Sequence, residues 1–137
     1  MQVLADTGVW FRFVRRLPLP KKIETTLTAG ETQRYLCPIS SMEIIRKWQS
    51  GKSPCPDPRT WLDRALEGFE ILPITEPVAR VAALWGWDHK DTADRLIVAT
   101  AQRHGIELWH TDTLLEKLTG FPHRYFEGKG LYKVYRE

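Results

Sequence analysis

Residues 91–112 read DTADRLIVATAQRHGIELWHTD, and this stretch decides the fold. Its apolar positions predict the longest helix of the chain over residues 94–104, and Gly105 supplies the glycine that commonly ends a helix. Residues 107–110 then predict a short strand that leads to Asp112. One acid, Asp94, therefore stands at the start of the helix, and another follows the strand.

The rest of the chain repeats this alternation of short strands and longer helices. The other strands are predicted at residues 3–5, 35–39, 71–74 and 131–135, and the other helices at 9–14, 21–29, 42–49, 61–67, 77–84 and 113–118. Strands that alternate with helices of about ten residues indicate an α/β domain with a mainly parallel sheet. No repeat, low-complexity segment or linker divides the sequence, so we predict a single domain over residues 1–137.

The composition is that of an ordinary globular domain. The 42% apolar and 27% charged residues argue against a disordered or fibrous chain. No apolar run approaches the roughly 18 to 20 residues that span a bilayer. Asp6 interrupts an amino-terminal segment that has no basic lead-in, so we expect no signal peptide and a cytoplasmic location. Cys37 and Cys55 are expected to be reduced. The net charge of +3 permits nucleic-acid binding without requiring it.

Four acids stand at junctions between strands and helices. Asp6 and Asp112 each follow a predicted strand directly, Glu43 lies in the first turn of the helix after the second strand, and Asp94 begins the long apolar helix. In a parallel sheet, all strand-to-helix junctions lie at the same edge, which is also where such sheets bind their ligands. We therefore expect these four carboxylates to lie close together.

Helix capping is the alternative explanation for each acid taken singly. Carboxylates accept backbone N–H bonds at helix starts, and Ser40-x-x-Glu43 fits a capping box, while Asp91-x-x-Asp94 nearly does. However, Ser, Thr or Asn would cap a helix equally well. Carboxylates at four successive junctions exceed what capping requires, which favours a shared acidic site.

A shared acidic site predicts a divalent cation. Four converging carboxylates would repel one another and raise some of their pKa values, and a hard cation removes this cost. Mg²⁺ and Mn²⁺ prefer carboxylate and water oxygens. Such a site suits the hydrolysis of phosphodiesters, because the metal can lower the pKa of a bound water and neutralise charge on a phosphoryl oxygen.

The same residues resemble the PIN-domain nucleases, in particular the VapC-type toxins of bacterial and archaeal toxin–antitoxin pairs. The resemblance covers roughly residues 1–122 and rests on four motifs in order, which are LADTGVWF, ISSMEIIRKW, ILPITEPVARVAAL and the stretch from Asp91 to Asp112. It implies an α/β/α sandwich around a mainly parallel sheet of four or five strands. It also implies RNA hydrolysis with Mg²⁺ or Mn²⁺, a cognate antitoxin that covers the active site, and a homodimer.

The resemblance also implies roles for individual residues. Asp6, Glu43 and Asp94 match the three most regular metal-site acids of the family, and Asp112 matches a fourth, more variable one. Asp91 matches the first aspartate of the D-x-x-D pair and is taken as supporting or capping. The chain departs from the family at Gly8, where a polar residue is common, and at Thr92 and Ala93, which replace a proline and an aromatic residue. Neither departure removes a carboxylate.

Several neighbouring residues are candidates for supporting roles. Thr7 and Ser41 could hydrogen-bond the carboxylates or bound water, although capping alone would also explain them. Arg95 is expected to form a structural ion pair with a carboxylate, with an RNA contact as the alternative. Trp85 and Trp87 are expected to pack in the core or a hinge rather than stack on bases. The four histidines show no metal-ligand spacing and are expected to be structural or solvent-facing; they are His89, His104, His110 and His123.

The sequence therefore predicts a metal-dependent endoribonuclease. A catalytically silent RNA- or protein-binding module on the same fold is the main alternative, but clustered negative charge brings nothing to RNA binding alone. A phosphatase with Asp6 as nucleophile ranks lower, because such enzymes usually carry a second Asp two residues later, where this chain has Gly8.

Overall fold

The computed structural model describes residues 1–51 and 55–128, which form one five-stranded sheet flanked by helices. The strand order is β3-β2-β1-β4-β5, and every neighbouring pair is parallel. The strands are β1 (Gln2–Ala5), β2 (Gln33–Leu36), β3 (Glu70–Ile71), β4 (Leu108–His110) and β5 (His123–Tyr125). The predicted α/β class and its parallel sheet are confirmed.

Seven α-helices lie in the described part of the chain. They are α1 (Thr7–Val14), α2 (Lys21–Thr28), α3 (Ile39–Ser50), α4 (Leu62–Leu66), α5 (Glu76–Leu84), α6 (Thr92–His104) and α7 (Thr113–Glu116), with a 3₁₀ turn at Pro58–Thr60. None of these helices is both long and apolar enough to cross a bilayer. Left-handed glycines end α3 and α6, since Gly51 and Gly105 have φ values of 66° and 64°.

The core divides between the two faces of the sheet because successive strand residues point to opposite sides. Val3 and Ala5 join a buried cluster with residues of α1, α2, α3 and α4, whereas Leu4 joins a second cluster with residues of α6 and α7. Helix α5 packs on the outer side of α6, through a third cluster that contains Val78 and Ala99. This arrangement is the predicted α/β/α sandwich.

Several element boundaries differ from the sequence-based prediction; α6, for example, begins at Thr92 rather than at Asp94. Strand β2 ends at Leu36, because Pro38 occupies the N-cap position of α3, and α3 therefore begins at Ile39 rather than at residue 42. Glu43 consequently lies in the second turn of α3, and the predicted Ser40–Glu43 capping box is wrong. Strand β5 was not predicted, and its polar residues carry no apolar alternation that would reveal it. The strand predicted at 131–135 lies outside the described residues.

Candidate active site

Asp6 and Asp112 lie side by side in the fold, at the carboxyl ends of the adjacent strands β1 and β4. Each is the N-cap of the following helix. An oxygen of Asp6 accepts from Val9 N at 2.7 Å, and an oxygen of Asp112 accepts from Leu114 N at 2.8 Å. The capping expectation is therefore correct for both, and each carboxylate keeps a second oxygen for other partners.

Glu43 is held by a hydroxyl chain that links α1 to α3. The hydroxyl of Thr7 donates to Glu43 Oε1, and Ser40 Oγ lies 2.8 Å from Thr7 Oγ1. Because Thr7 has one hydroxyl proton and gives it to Glu43, Ser40 must be the donor in the second bond. Both hydroxyl residues are buried, with exposed fractions of 6% and 0%. Thr7 therefore makes the bond to a carboxylate that was considered for it, and Ser40 rather than Ser41 bonds to Thr7.

Asp91 and Asp94 occupy the first turn of α6. Asp91 is the N-cap and accepts from Asp94 N at 3.0 Å, so its supporting role as a cap matches the geometry. Asp94 Oδ2 lies 2.8 Å from Nε2 of His89, in the loop before the helix. Ligand atoms of His89, Asp91 and Asp94 can all lie within 4.8 Å of one another. The bond to Asp94 gives His89 a structural role, which was one of the two expected for the histidines.

The pKa of Asp6 responds to burial and to the charges of three other acids. Burial raises the pKa of Asp6 from 3.8 to about 7, against the lowering effect of the Val9 N–H. The negative charges of Asp94, Asp112 and Glu43 each raise the pKa of Asp6 further. Carboxylates from four separate chain segments thus act on one another at the carboxyl edge of the sheet.

Burial also raises the pKa values of Glu43 and Asp94. For Glu43, the Thr7 hydroxyl opposes the rise, and the charges of Asp94 and Asp91 add to it. For Asp94, the bond to His89 opposes the rise, and the charges of Asp91 and Asp112 add to it. The pattern places Asp91 at the margin of the same cluster.

The donor set fits a hard divalent cation. It offers oxygens of Asp6, Glu43, Asp94 and Asp112. Burial is the largest cause of the raised pKa values of Asp6, Glu43 and Asp94, and the charges of neighbouring carboxylates add to it. Carboxylate oxygens of this kind are the ligands that Mg²⁺ and Mn²⁺ select. A cation among these side chains would relieve their repulsion.

His110 and His123 form a chain of hydrogen bonds that begins at the backbone N–H of Asp112. His123 Nε2 faces Leu118 O at 2.7 Å and must therefore carry a proton, and its Nδ1 lies 2.9 Å from His110 Nε2. His110 Nδ1 accepts from Asp112 N at 3.2 Å, so His110 donates through Nε2. Burial and the neighbouring His123 lower the pKa of His110 to about 4, which keeps this chain of bonds intact with neutral rings.

Within residues 1–51 and 55–128, Arg95 forms no ion pair with a carboxylate, contrary to the expectation. Its guanidinium instead donates to backbone carbonyl oxygens of α5 and of the loop between α5 and α6. Trp85 and Trp87 in that loop pack against the second buried cluster, as expected. Trp85 contacts Phe121 edge-on, and Trp87 stacks on His89 with ring centroids 4.5 Å apart.

A shallow groove of about 580 Å³ borders the acids. Its lining includes Glu43 and Asp91 together with two cationic residues, Arg46 and Lys47. The charge of Lys47 lowers the pKa of Glu43, so this cation lies within electrostatic range of the cluster. A more voluminous cleft of about 700 Å³ lies apart from the acids, around Phe13 and the residues near α4.

Comparison with known proteins agrees with this geometry. Residues 3–120 match the family described as PIN domain. Among solved structures, the chain is similar to VapBC2 from Rickettsia felis bound to a DNA fragment from their promoter, with a TM-score of 0.69 and 14% identity over 93% of this chain and 100% of the other. No curated protein sequence matches the chain.

Two further solved structures share the fold. A toxin–antitoxin complex from Klebsiella pneumoniae has a TM-score of 0.62 and 23% identity over 86% of this chain and 93% of the other. FitAcB from Neisseria gonorrhoeae has a TM-score of 0.56 and 26% identity over 81% of this chain and 88% of the other. The resemblance read from the four sequence motifs is therefore confirmed at the level of the family.

Proposed function

Because this chain belongs to the PIN-domain family, we propose that it is a metal-dependent endoribonuclease that binds Mg²⁺ or Mn²⁺ through Asp6, Glu43, Asp94 and Asp112. The observation that carries the proposal is geometric: Asp6 and Asp112 follow the adjacent strands β1 and β4, Thr7 next to Asp6 donates to Glu43, and Asp94 lies in the first turn of α6. The charges of Glu43, Asp94 and Asp112 also add to the rise that burial causes in the pKa of Asp6. A fold does not maintain such repulsion for its own stability, whereas a cation-binding site requires it.

A cation held by these carboxylates would lower the pKa of a bound water, which would serve as nucleophile, and would neutralise charge on the phosphodiester. The residues of the chain hold the ligands in place. The Thr7 hydroxyl fixes Glu43, and the His89 ring fixes Asp94. The capping bonds fix Asp6 and Asp112, each through one oxygen only. Each carboxylate thus uses one oxygen for a hydrogen bond that orients it and keeps the other oxygen for the cation, as a metal site requires.

The charge pattern around the acids supports a nucleic-acid substrate. Arg46 and Lys47 line the groove that borders Glu43 and Asp91. Cations at this position can contact backbone phosphates and bring the scissile bond to the carboxylates. Preference for RNA over DNA comes from the resemblance to the VapC-type toxins, so the test must offer both polymers.

We further propose that the chain is the toxin of a toxin–antitoxin pair. The support is the family together with the shared fold of a Klebsiella pneumoniae toxin–antitoxin complex and of VapBC2 from Rickettsia felis. The proposed partners are a cognate antitoxin that covers the acidic edge and a second copy of the chain. A toxin of this kind would act on RNA in the cytoplasm.

The test is cleavage of an RNA oligonucleotide and its DNA counterpart by the purified protein. We expect RNA cleavage with Mn²⁺ or Mg²⁺, none with EDTA, and a loss of at least about a hundredfold in Asp6→Asn and Asp94→Asn. Glu31→Gln is the matched control, because Glu31 is exposed in the turn before β2, at the opposite edge of the sheet.

Two outcomes would contradict the proposal. Activity that persists in EDTA or in both variants would exclude the carboxylates as the metal site. Tight RNA binding without metal and without cleavage would instead favour a silent binding module on the same fold.

A further inference from the structure

The guanidinium of Arg95 uses all five of its N–H groups on backbone carbonyls. Arginine has five N–H donors in a planar fork, and the side chain donates to five different oxygens. The acceptors are Ala82 O at 2.8 Å from Nε, Trp87 O at 2.6 Å and His89 O at 2.8 Å from Nη1, and Trp85 O at 2.6 Å and Ala83 O at 3.4 Å from Nη2. No N–H donor is left for a phosphate, which argues against the RNA contact considered for Arg95.

These carbonyls belong to the end of α5 and to the loop that follows it. Ala82 and Ala83 lie in the last turn of α5, where carbonyls have no partner within the helix and where a cation suits the helix dipole. Trp85, Trp87 and His89 alternate along the loop. One side chain thus fixes the path of the chain from α5 to the residues just before α6.

The loop ends in a histidine that is held by its backbone and by its ring. Arg95 binds the His89 carbonyl, and the His89 ring stacks on Trp87 with an angle of 17° between the planes. The remaining polar contact of the ring is Nε2 to Asp94 Oδ2, at 2.8 Å, with side chains 19% and 23% exposed. The orientation of the Asp94 carboxylate therefore depends on the loop.

We propose that Arg95 is a positioning residue: it fixes the loop so that His89 holds Asp94 Oδ2 and leaves Asp94 Oδ1 for the cation. The inference rests on the proposed function, because it assumes that Asp94 binds the metal. Hydrogen-bond partners that orient metal ligands typically contribute about 10- to 100-fold to metal affinity. Lysine cannot replace this arginine, because its three N–H donors are all on one nitrogen and cannot reach the five carbonyl oxygens.

The test compares Mn²⁺ affinity by calorimetry in four variants of the full chain. Arg95→Lys and His89→Ala are each expected to weaken Mn²⁺ binding by about 10- to 100-fold. The variant that carries both Arg95→Lys and His89→Ala is expected to bind Mn²⁺ no more weakly than the weaker of the two single variants, because both changes break the same chain of contacts. His89→Gln should recover part of the affinity, since its amide N–H can still donate to Asp94.

Arg80→Lys is the matched control. Arg80 lies on α5 and pairs with the exposed Glu76 at 2.8 Å, so this variant should bind Mn²⁺ as the wild type does. If Arg95 has a purely structural role, the fold-losses of Mn²⁺ affinity in Arg95→Lys and His89→Ala should multiply in the double variant. His89→Gln and His89→Ala should then bind Mn²⁺ with the same affinity. Either result, or wild-type affinity in Arg95→Lys, would overturn the proposal.

A second readout separates this inference from the proposed function. In the metal-free protein at mildly alkaline pH, ¹⁵N NMR of the His89 ring should show the proton on Nε2, and Arg95→Lys should shift it toward a mixture of tautomers. An unchanged ring signal in Arg95→Lys would refute positioning even if RNA is cleaved. Absence of Mn²⁺ binding in the wild type would refute the proposed function, while the ring signal still decides the role of Arg95. If Arg95→Lys does not fold, the ring signal of Trp87→Leu, in which His89 loses its stacking partner, provides the test.

Discussion

Replacing Asp6 by asparagine should stabilise the metal-free protein. The folded chain holds this carboxylate in a buried position among three other negative charges, and its pKa rises from 3.8 to about 7. Asparagine is nearly the same size and is also a favoured N-cap, so its amide oxygen can keep the bond from Val9 N. The variant therefore removes the repulsion and preserves the start of α1.

The size of the effect follows from the pKa of Asp6. Because the folded-state pKa lies above the unfolded value, the folded protein binds more protons between the two values, and its stability falls as pH rises from about 4 to about 7. A difference of roughly three pKa units, at about 1.4 kcal/mol each, sets an upper limit of about 4 kcal/mol. This limit already includes the bond from Val9 N to the carboxylate. Because relaxation around a buried charge reduces such energies, we expect a net gain of about 1–3 kcal/mol.

Thermal unfolding in EDTA measures this gain directly. At about pH 8, a gain of about 1–3 kcal/mol should raise the Tm of Asp6→Asn by about 3–10 °C, and at about pH 5 most of the difference should vanish. Excess Mn²⁺ should reverse the order, since a cation at one thousand times its Kd adds about 4.1 kcal/mol to the wild type only. Glu31→Gln should shift neither result. If Asp6→Asn is no more stable than the wild type at about pH 8, or is stabilised equally at about pH 8 and about pH 5, the ionised Asp6 does not destabilise the fold and the prediction is wrong.

Three other substitutions test separate parts of the structure. Thr7→Val removes the donor to Glu43, so Mn²⁺ affinity measured by calorimetry should fall by about tenfold or more, and unchanged affinity would contradict the role of Thr7. His123→Leu leaves the buried Nε2–H of His110 without its acceptor, so urea unfolding should show a loss of about 1–3 kcal/mol, and a loss near zero would contradict the assigned tautomers. Gly105→Ala meets no atom within 4 Å, so urea unfolding should report only the cost of its left-handed backbone, about 1 kcal/mol, and a much larger loss would point to an unseen clash.

The parts of the site that were predictable depend on strand and helix order. Asp6 directly follows β1, and Asp112 lies two residues after β4; a parallel sheet places such positions at one edge regardless of the surrounding side chains. Asp91 was recognisable as a cap from the Asp91-x-x-Asp94 spacing, although α6 begins at Thr92 rather than at residue 94. These features follow from local pattern, which the sequence carries explicitly.

The supporting contacts could not be read in the same way. Whether Ser40 or Ser41 reaches Thr7 depends on where α3 begins, because a change of one residue rotates a side chain by about 100° around the helix. Pro38 decides that start, and the apolar pattern gave no sign of it.

The contacts of Arg95 and His89 were also hidden. An arginine next to an aspartate suggests an ion pair, and only the three-dimensional path of the loop after α5 shows that carbonyls take up the guanidinium. His89 lies in that loop, where no helical or strand period relates it to Asp94. Contacts made by loops depend on the tertiary structure, and a single sequence does not encode them as spacing.

The most direct measurement is anomalous diffraction from crystals soaked in Mn²⁺, recorded for the wild type and for Asp6→Asn. We predict a manganese peak at the carboxyl edge of the sheet, within bonding distance of Asp6 and Asp94, and a loss of that peak in the variant. A wild-type map without manganese at this edge, or a peak that persists unchanged in Asp6→Asn, would contradict the claim that these carboxylates form a metal site.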